Sequence, residues 1–219
     1  MKKSFLCLLA LVVLIPMALA QVPNEKLAAA TKSALTAYQA AKTPDEVQQV
    51  ANQWERIAAA EPKEWLPAYW AAYTNLMLHY RAKDEKVSEA ALEKTGEWIE
   101  KSEKLAGKND EVAILTAWYY QAKLGASPAT GWMLYGGKIT RNIEKAKLLN
   151  PENPRIYLVE GQNLFYTPSA FGGGKDKALP LFKAGEEKFA KFVPVSDLHP
   201  NWGRGELKKY LAECEAPAK

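Results

Sequence analysis

Apolar residues recur at spacings of three and four along nearly the whole chain, the period of helices that bury one stripe. Leu27, Ala30, Leu35 and Tyr38 mark a first helix over about Lys26 to Lys42. Thr43-Pro44-Asp45 stops it and starts the next, with Thr43 as N-cap and Pro44 in the first turn. Val47, Val50, Ala51, Trp54, Ile57 and Ala58 form the stripe of the second helix, which Glu61-Pro62 closes. A third begins near Trp65 and carries Tyr69, Tyr73, Leu76 and Tyr80. A fourth covers about Lys86 to Leu105 and leaves through Gly107. The fifth spans about Glu111 to Leu124, with Ile114, Ala117, Trp118 and Tyr120.

After a connection containing Pro128 and Gly131, a sixth helix is expected over about Ile139 to Leu149, broken by Asn150-Pro151-Glu152-Asn153-Pro154. The seventh runs from about Arg155 to Tyr166, the eighth from Lys175 to Phe192, and a short ninth from Glu206 to Glu213. Few stretches alternate with period two, so the expected fold class is all-α.

The first twenty residues stand apart from this pattern. Lys2 and Lys3 precede an apolar run from Phe5 to Ile15, and Ala18-Leu19-Ala20 supplies a small-x-small cleavage pattern. Residues 1–20 are therefore expected to be a cleaved signal peptide, leaving 21–219 as a single domain that starts at Gln21. Cys7 sits too early to be a lipidated cysteine, and no twin-Arg pair precedes the run. The expected address is periplasmic or secreted, non-lipidated, with no stable membrane insertion after cleavage.

Charge narrows the partners. The chain has 29 Lys and Arg against 25 Asp and Glu. Removing Lys2 and Lys3 leaves 27 against 25, a net of +2 with no basic cluster, so nucleic acid is not an expected partner. Cys214 remains as a lone cysteine flanked by Glu213 and Glu215, which excludes an internal disulfide and disfavours a reactive thiolate.

Candidate reaction centres fail on spacing. Gly172-Gly173-Gly174-Lys175 resembles a phosphate loop only superficially, because Ser169 and Asp176 stand where that loop needs Gly and Ser or Thr. His79 and His199 lack the companions of a zinc site and read as packed or capping residues. Glu97 with Glu100, and Glu186 with Glu187, are interleaved with lysines in the manner of solvated helical faces. No catalytic residue, cofactor or metal site is expected.

The helices come in pairs, each ending in a small or apolar stripe and a polar breaker. Ile57 to Pro62, Ser102 to Asn109 and Ala146 to Pro151 share this form. Small residues at Ala72, Ala117 and Gly161 would let the second helix of a pair approach closely. From Ala146 to Phe189 the Ala-x-x-Leu-x-Pro ending, Pro154-Arg155-Ile156-Tyr157, Gly161, and then Ala178, Phe182 and Gly185 resemble a tetratricopeptide repeat. The Thr167-Pro168 and Phe171-Gly172-Gly173-Gly174-Lys175 elements are similar to those of exported bacterial proteins of that type.

The resemblance implies an α-solenoid of about four antiparallel helix pairs with a short C-terminal capping helix. The spacing departs from the family, since Pro62 to Pro151 is longer than two standard units of about 34 residues. The resemblance also places first helices on a concave side. That side would carry Tyr69, Tyr73, Trp118, Gln121, Arg155, Gln162 and Tyr166.

With 7 Trp and 10 Tyr in the chain, such a wall suits burial of a partner's apolar anchor. The expected function is a non-catalytic scaffold that holds a peptide or protein segment in this groove, with Arg155 pairing an acidic group. The alternative is a receptor for a small ligand or glycan on the same framework.

Overall fold

The computed structural model describes residues 25–127 and 129–216. The expected signal peptide, its cleavage point and Pro128 lie outside them. Among the described residues there are nine α-helices and no strand: α1 (Glu25–Ala40), α2 (Pro44–Ala60), α3 (Trp65–Arg81), α4 (Glu85–Ala106), α5 (Asp110–Ala126), α6 (Gly131–Leu149), α7 (Pro154–Tyr166), α8 (Lys175–Lys191) and α9 (Arg204–Glu215). A short 3-10 turn, Ser169–Phe171, lies between α7 and α8.

Local chemistry explains most boundaries. Thr43 accepts from the Glu46 amide at 3.3 Å, while the Glu46 carboxylate accepts from the Thr43 amide at 2.9 Å, a reciprocal cap for α2. The Lys42 amide, which donates to the same carboxylate at 2.7 Å, and the Thr43 amide hold the Glu46 carboxyl below its usual range. Asp84 caps α4, Asn109 caps α5 and Asn153 caps α7, each accepting from an amide of the first turn. Asp110 then accepts from the side-chain amides of Asn150 and Asn153 at 3.0 and 2.8 Å, fastening the start of α5 to the start of α7.

The sixth helix differs from expectation. It starts at Gly131, not near Ile139, so Gly136-Gly137 lies inside it and does not interrupt it. The reason is close packing. A Cβ on Gly131 would meet the Leu124 backbone at 2.6 Å, and one on Gly136 would meet the Trp132 ring at 3.2 Å. Contact replaces the propensity that glycine lacks.

Consecutive helices pack on one another, and α3 also reaches α5, α5 reaches α7, and α7 reaches α9. The starts of α3, α5, α7 and α9 gather at one end of the molecule. Their far ends, with the starts of α4, α6 and α8, form the other.

α3 is the central element, buried continuously from Pro67 to Leu78. Trp54 stacks on Trp70 with ring centroids 5.8 Å apart, and Leu76, Ile114, Leu115, Ile156 and Phe182 extend the core. Ala72 and Ala117 are fully buried, and the Phe182 ring of α8 lies where a Cβ on Gly161 would be, the close approach expected at that position.

Candidate functional site: an aromatic groove closed by Trp202

Tyr69 and Tyr73 sit one turn apart on α3, and Trp118 faces them from α5, 6.3 Å from Tyr73 between ring centroids. The groove they line is occupied by the chain itself. After α8 the segment 193–203 returns across the start of α3, where Trp70 donates to the Leu198 carbonyl at 2.9 Å and His199 meets Trp65 edge-on. Trp202 then stacks on both Tyr73 and Trp118, at 5.2 and 4.9 Å. Its indole N–H donates to the Tyr69 hydroxyl at 2.8 Å. Gly203 turns the chain into α9 at a φ of +104°, a left-handed conformation that favours glycine.

Arg155 anchors this closure from below. It is fully buried and grips the Glu111 carboxylate through two nitrogens, Nε at 2.7 Å and Nη2. It also donates to the Trp202 carbonyl and lies over the Phe192 ring at 4.5 Å. Burial pushes the Glu111 carboxyl up, and the Arg155 charge pulls it back. The expected pairing of Arg155 with an outside acid is thus corrected: Glu111 takes that role inside the fold.

The other expected groove residues divide. Gln121 donates from Nε2 to the Val159 carbonyl at 2.8 Å and ties α5 to α7. Gln162 is buried, and its Oε1 has no hydrogen-bond partner. Tyr166 is 71% exposed at the rim, its hydroxyl 3.1 Å from that of Tyr210 on α9.

Two residues missing from the expected set complete the open end. Tyr80 stacks on Trp118 at 5.9 Å and is 49% exposed, and Tyr210 stacks on Phe182 and approaches Gln162. Tyr80 reads in sequence as one more apolar position, and Tyr210 belongs to the helix expected only as a cap.

The electrostatics keep these phenols neutral. Burial raises Tyr69 and Tyr73 well above the ordinary tyrosine value, and it raises Tyr80 and Tyr210 too. The Trp118 indole beside the Tyr80 hydroxyl offsets part of that effect. Exposed cations at this end of the bundle include Arg81, which donates to the Ala41 carbonyl, and Lys175, which pairs with Glu213 at 3.5 Å, with Lys123 half-buried. Lys175 lies 5.6 Å over the Phe165 ring, and Lys123 acts on His79.

At the opposite end a hollow of about 400 Å³ is lined by Trp65, Phe192 and His199 together with Asp110, Glu111, Glu152, Lys188 and Lys191. His199 Nδ1 pairs with the Ser196 hydroxyl at 2.8 Å, and His79 Nδ1 pairs with Ser88 at the same distance, so both histidines are packed or capping residues as expected. Among the described residues no group of three or more His, Cys, Asp or Glu is placed to hold a metal ion. Cys214 is a free, half-buried thiol pushed up by burial first and by Glu213 and Glu215 less.

An all-helical protein with an aromatic groove, partly filled from within, is the class these features define. In the comparison with solved structures the chain matches the HusA haemophore from Porphyromonas gingivalis, with a TM-score of 0.75 and 31% sequence identity over 86% of this chain and 92% of that one. The chain belongs to the family of that haemophore. No protein-family model matches the sequence, and the comparison with curated proteins returns no match.

This overturns the expected peptide scaffold. The family member is a haemophore, and the anchors intended for a peptide, Tyr73 and Trp118, are buried under Trp202. The small-ligand alternative is the reading that agrees with both facts.

Proposed function

We propose that the protein is an exported, non-catalytic carrier of an iron tetrapyrrole, held at the open end of the aromatic groove. The observation that supports this most directly is the Tyr80–Trp118 stack, open on one side, in a chain whose relative is a haemophore. Tyr80 and Tyr166 would lie along the flat faces of the macrocycle. Beneath them the unpartnered Gln162 Oε1 and the Tyr166–Tyr210 hydroxyl pair supply the few polar groups such pockets use.

Arg81, Lys123 and Lys175 suit the carboxylates of the cargo, because they share the end of the bundle where Tyr80 and Tyr166 emerge. The opposite hollow suits it less, since its Lys188 is already engaged by Glu152 and Asp110 and Glu111 lie on its wall. Export rests on the charged start, apolar run and cleavage pattern of residues 1–20. Among the described residues no helix is long and apolar enough to cross a membrane. The order of helix contacts supports a solenoid of about four pairs capped by α9.

Gallium(III) protoporphyrin, a diamagnetic stand-in, tests the site by amide and indole NMR shifts. The reading expects saturable shifts at the Trp118 indole and the Gln162 side-chain amide, with the Trp65 indole unmoved. Shifts centred on Trp65 and His199, or none at all, would refute it.

A further inference from the structure

The end of the bundle that carries the groove mouth also carries an apolar projection that the groove does not use. At the start of α6, Trp132, Met133 and Leu134 are 62%, 84% and 53% exposed. Consecutive helical residues point about 100° apart, so these three fan around the helix tip and do not form one face. A rigid partner docking on one face of that tip would leave part of the fan in water. A fluid apolar medium surrounds it on every side.

Phe171, 80% exposed in the turn before α8, projects at the same end. The base of the tip is closely packed. Gly131 seats against the Leu124 backbone, and the Trp132 ring lies on Gly136.

Along the chain that bears the tip the charge has one sign, although Glu93 of α4 acts on Tyr119 from the neighbouring helix. Residues 112–143 contain Lys123, Lys138 and Arg141 and no Asp or Glu. Lys138 lies over the rings of Tyr120 and Tyr135 at 5.0 and 5.7 Å, and Lys123 lies 6.0 Å from Tyr135, so cations and aromatic rings form a collar behind Trp132. Glu103, the carboxylate that acts on Tyr120 from α4, is engaged by Lys145 and the Thr116 hydroxyl. An apolar wedge with a Trp and a cationic, aromatic collar is the pattern that seats a protein in the interface of an anionic bilayer.

We infer that the Trp132-Met133-Leu134 tip docks the protein reversibly on an anionic lipid surface. Docking would set the Tyr80–Tyr166 mouth towards the lipid. The inference stands on surface apolarity and charge alone and does not depend on the nature of the cargo.

The test is cosedimentation of the mature protein with vesicles of phosphatidylglycerol and phosphatidylcholine, and with phosphatidylcholine alone. Native protein should partition onto the anionic vesicles at least about tenfold more than onto the neutral ones, and salt should weaken it. Met133→Glu/Leu134→Glu should lose that binding while keeping the native helical spectrum and melting temperature, since both side chains are exposed. Equal binding by native and variant protein overturns the inference, as does no binding by either. It is likewise overturned if the patch drives concentration-dependent self-association or capture of a protein while vesicles are ignored.

Discussion

Trp202 donates its indole N–H to the Tyr69 hydroxyl at 2.8 Å across 133 positions of sequence. That bond, with the stacking on Tyr73 and Trp118, converts what would be a long open groove into a closed floor and a short open mouth. The closed part contributes stability. The open part is left for a ligand.

Trp202→Ala should therefore destabilise the protein by about 3–5 kcal/mol, the range for losing a large buried ring. Trp202→Phe should keep most of the packing and lose the hydrogen bond. Urea unfolding of both variants checks this, and an unchanged midpoint for the alanine variant would contradict the described closure.

Arg155 and Glu111 form a buried pair whose members are worth more to each other than to the fold. Arg155→Met alone leaves a buried carboxylate unpaired, at a cost of roughly 3–5 kcal/mol. Adding Glu111→Leu should recover much of that loss. A double-mutant cycle with no coupling would contradict the pairing.

Alkaline stability should depend on the buried phenols. Tyr69 and Tyr73 have folded values well above 10.0, their ordinary value, because burial disfavours the phenolate. The unfolded chain releases these protons near 10.0 and the folded protein keeps them. Their contribution is thus complete below that pH and is lost as pH rises towards the folded values. Tyr73→Phe should show a smaller fall in urea midpoint between about pH 8 and about pH 10.5 than the native protein.

Glycine positions should separate by surroundings. Gly161→Ala drives a methyl group into the Phe182 ring and should cost about 1–3 kcal/mol. Gly205→Ala, in α9 with nothing within 4 Å, should instead stabilise by about 0.5–1 kcal/mol. Thermal melts of the two variants should move in opposite directions.

Much of the fold was legible because its signals are local. The Thr43 cap, the Asn150 to Pro154 break and the small residues at Ala72, Ala117 and Gly161 act within a few residues or a single helix pair. The start of α6 was hidden because Pro128 and Gly131 read as a connection until Gly131 is seen packed against the Leu124 backbone. The site was half legible. Tyr73 and Trp118 do face each other at 6.3 Å, yet nothing near Trp202 in the sequence reveals that it folds back onto both.

Tyr80 was hidden for a subtler reason. Its position repeats the stripe of Tyr69, Tyr73 and Leu76, and only the shape of the bundle leaves it at a rim. The ligand class was not legible either, since an aromatic wall serves a peptide and a flat macrocycle by the same physics.

The most direct measurement is a haemin titration of the mature protein, followed by Soret absorbance and quenching of tryptophan fluorescence, beside a Tyr80→Ala/Tyr166→Ala variant of unchanged helical spectrum. The account predicts a saturable Soret shift with coincident quenching in the native protein, and an affinity lower by at least about tenfold in the variant, in line with the loss of stacked aromatic contacts. Absence of saturable binding, or equal affinity in the two proteins, would contradict it.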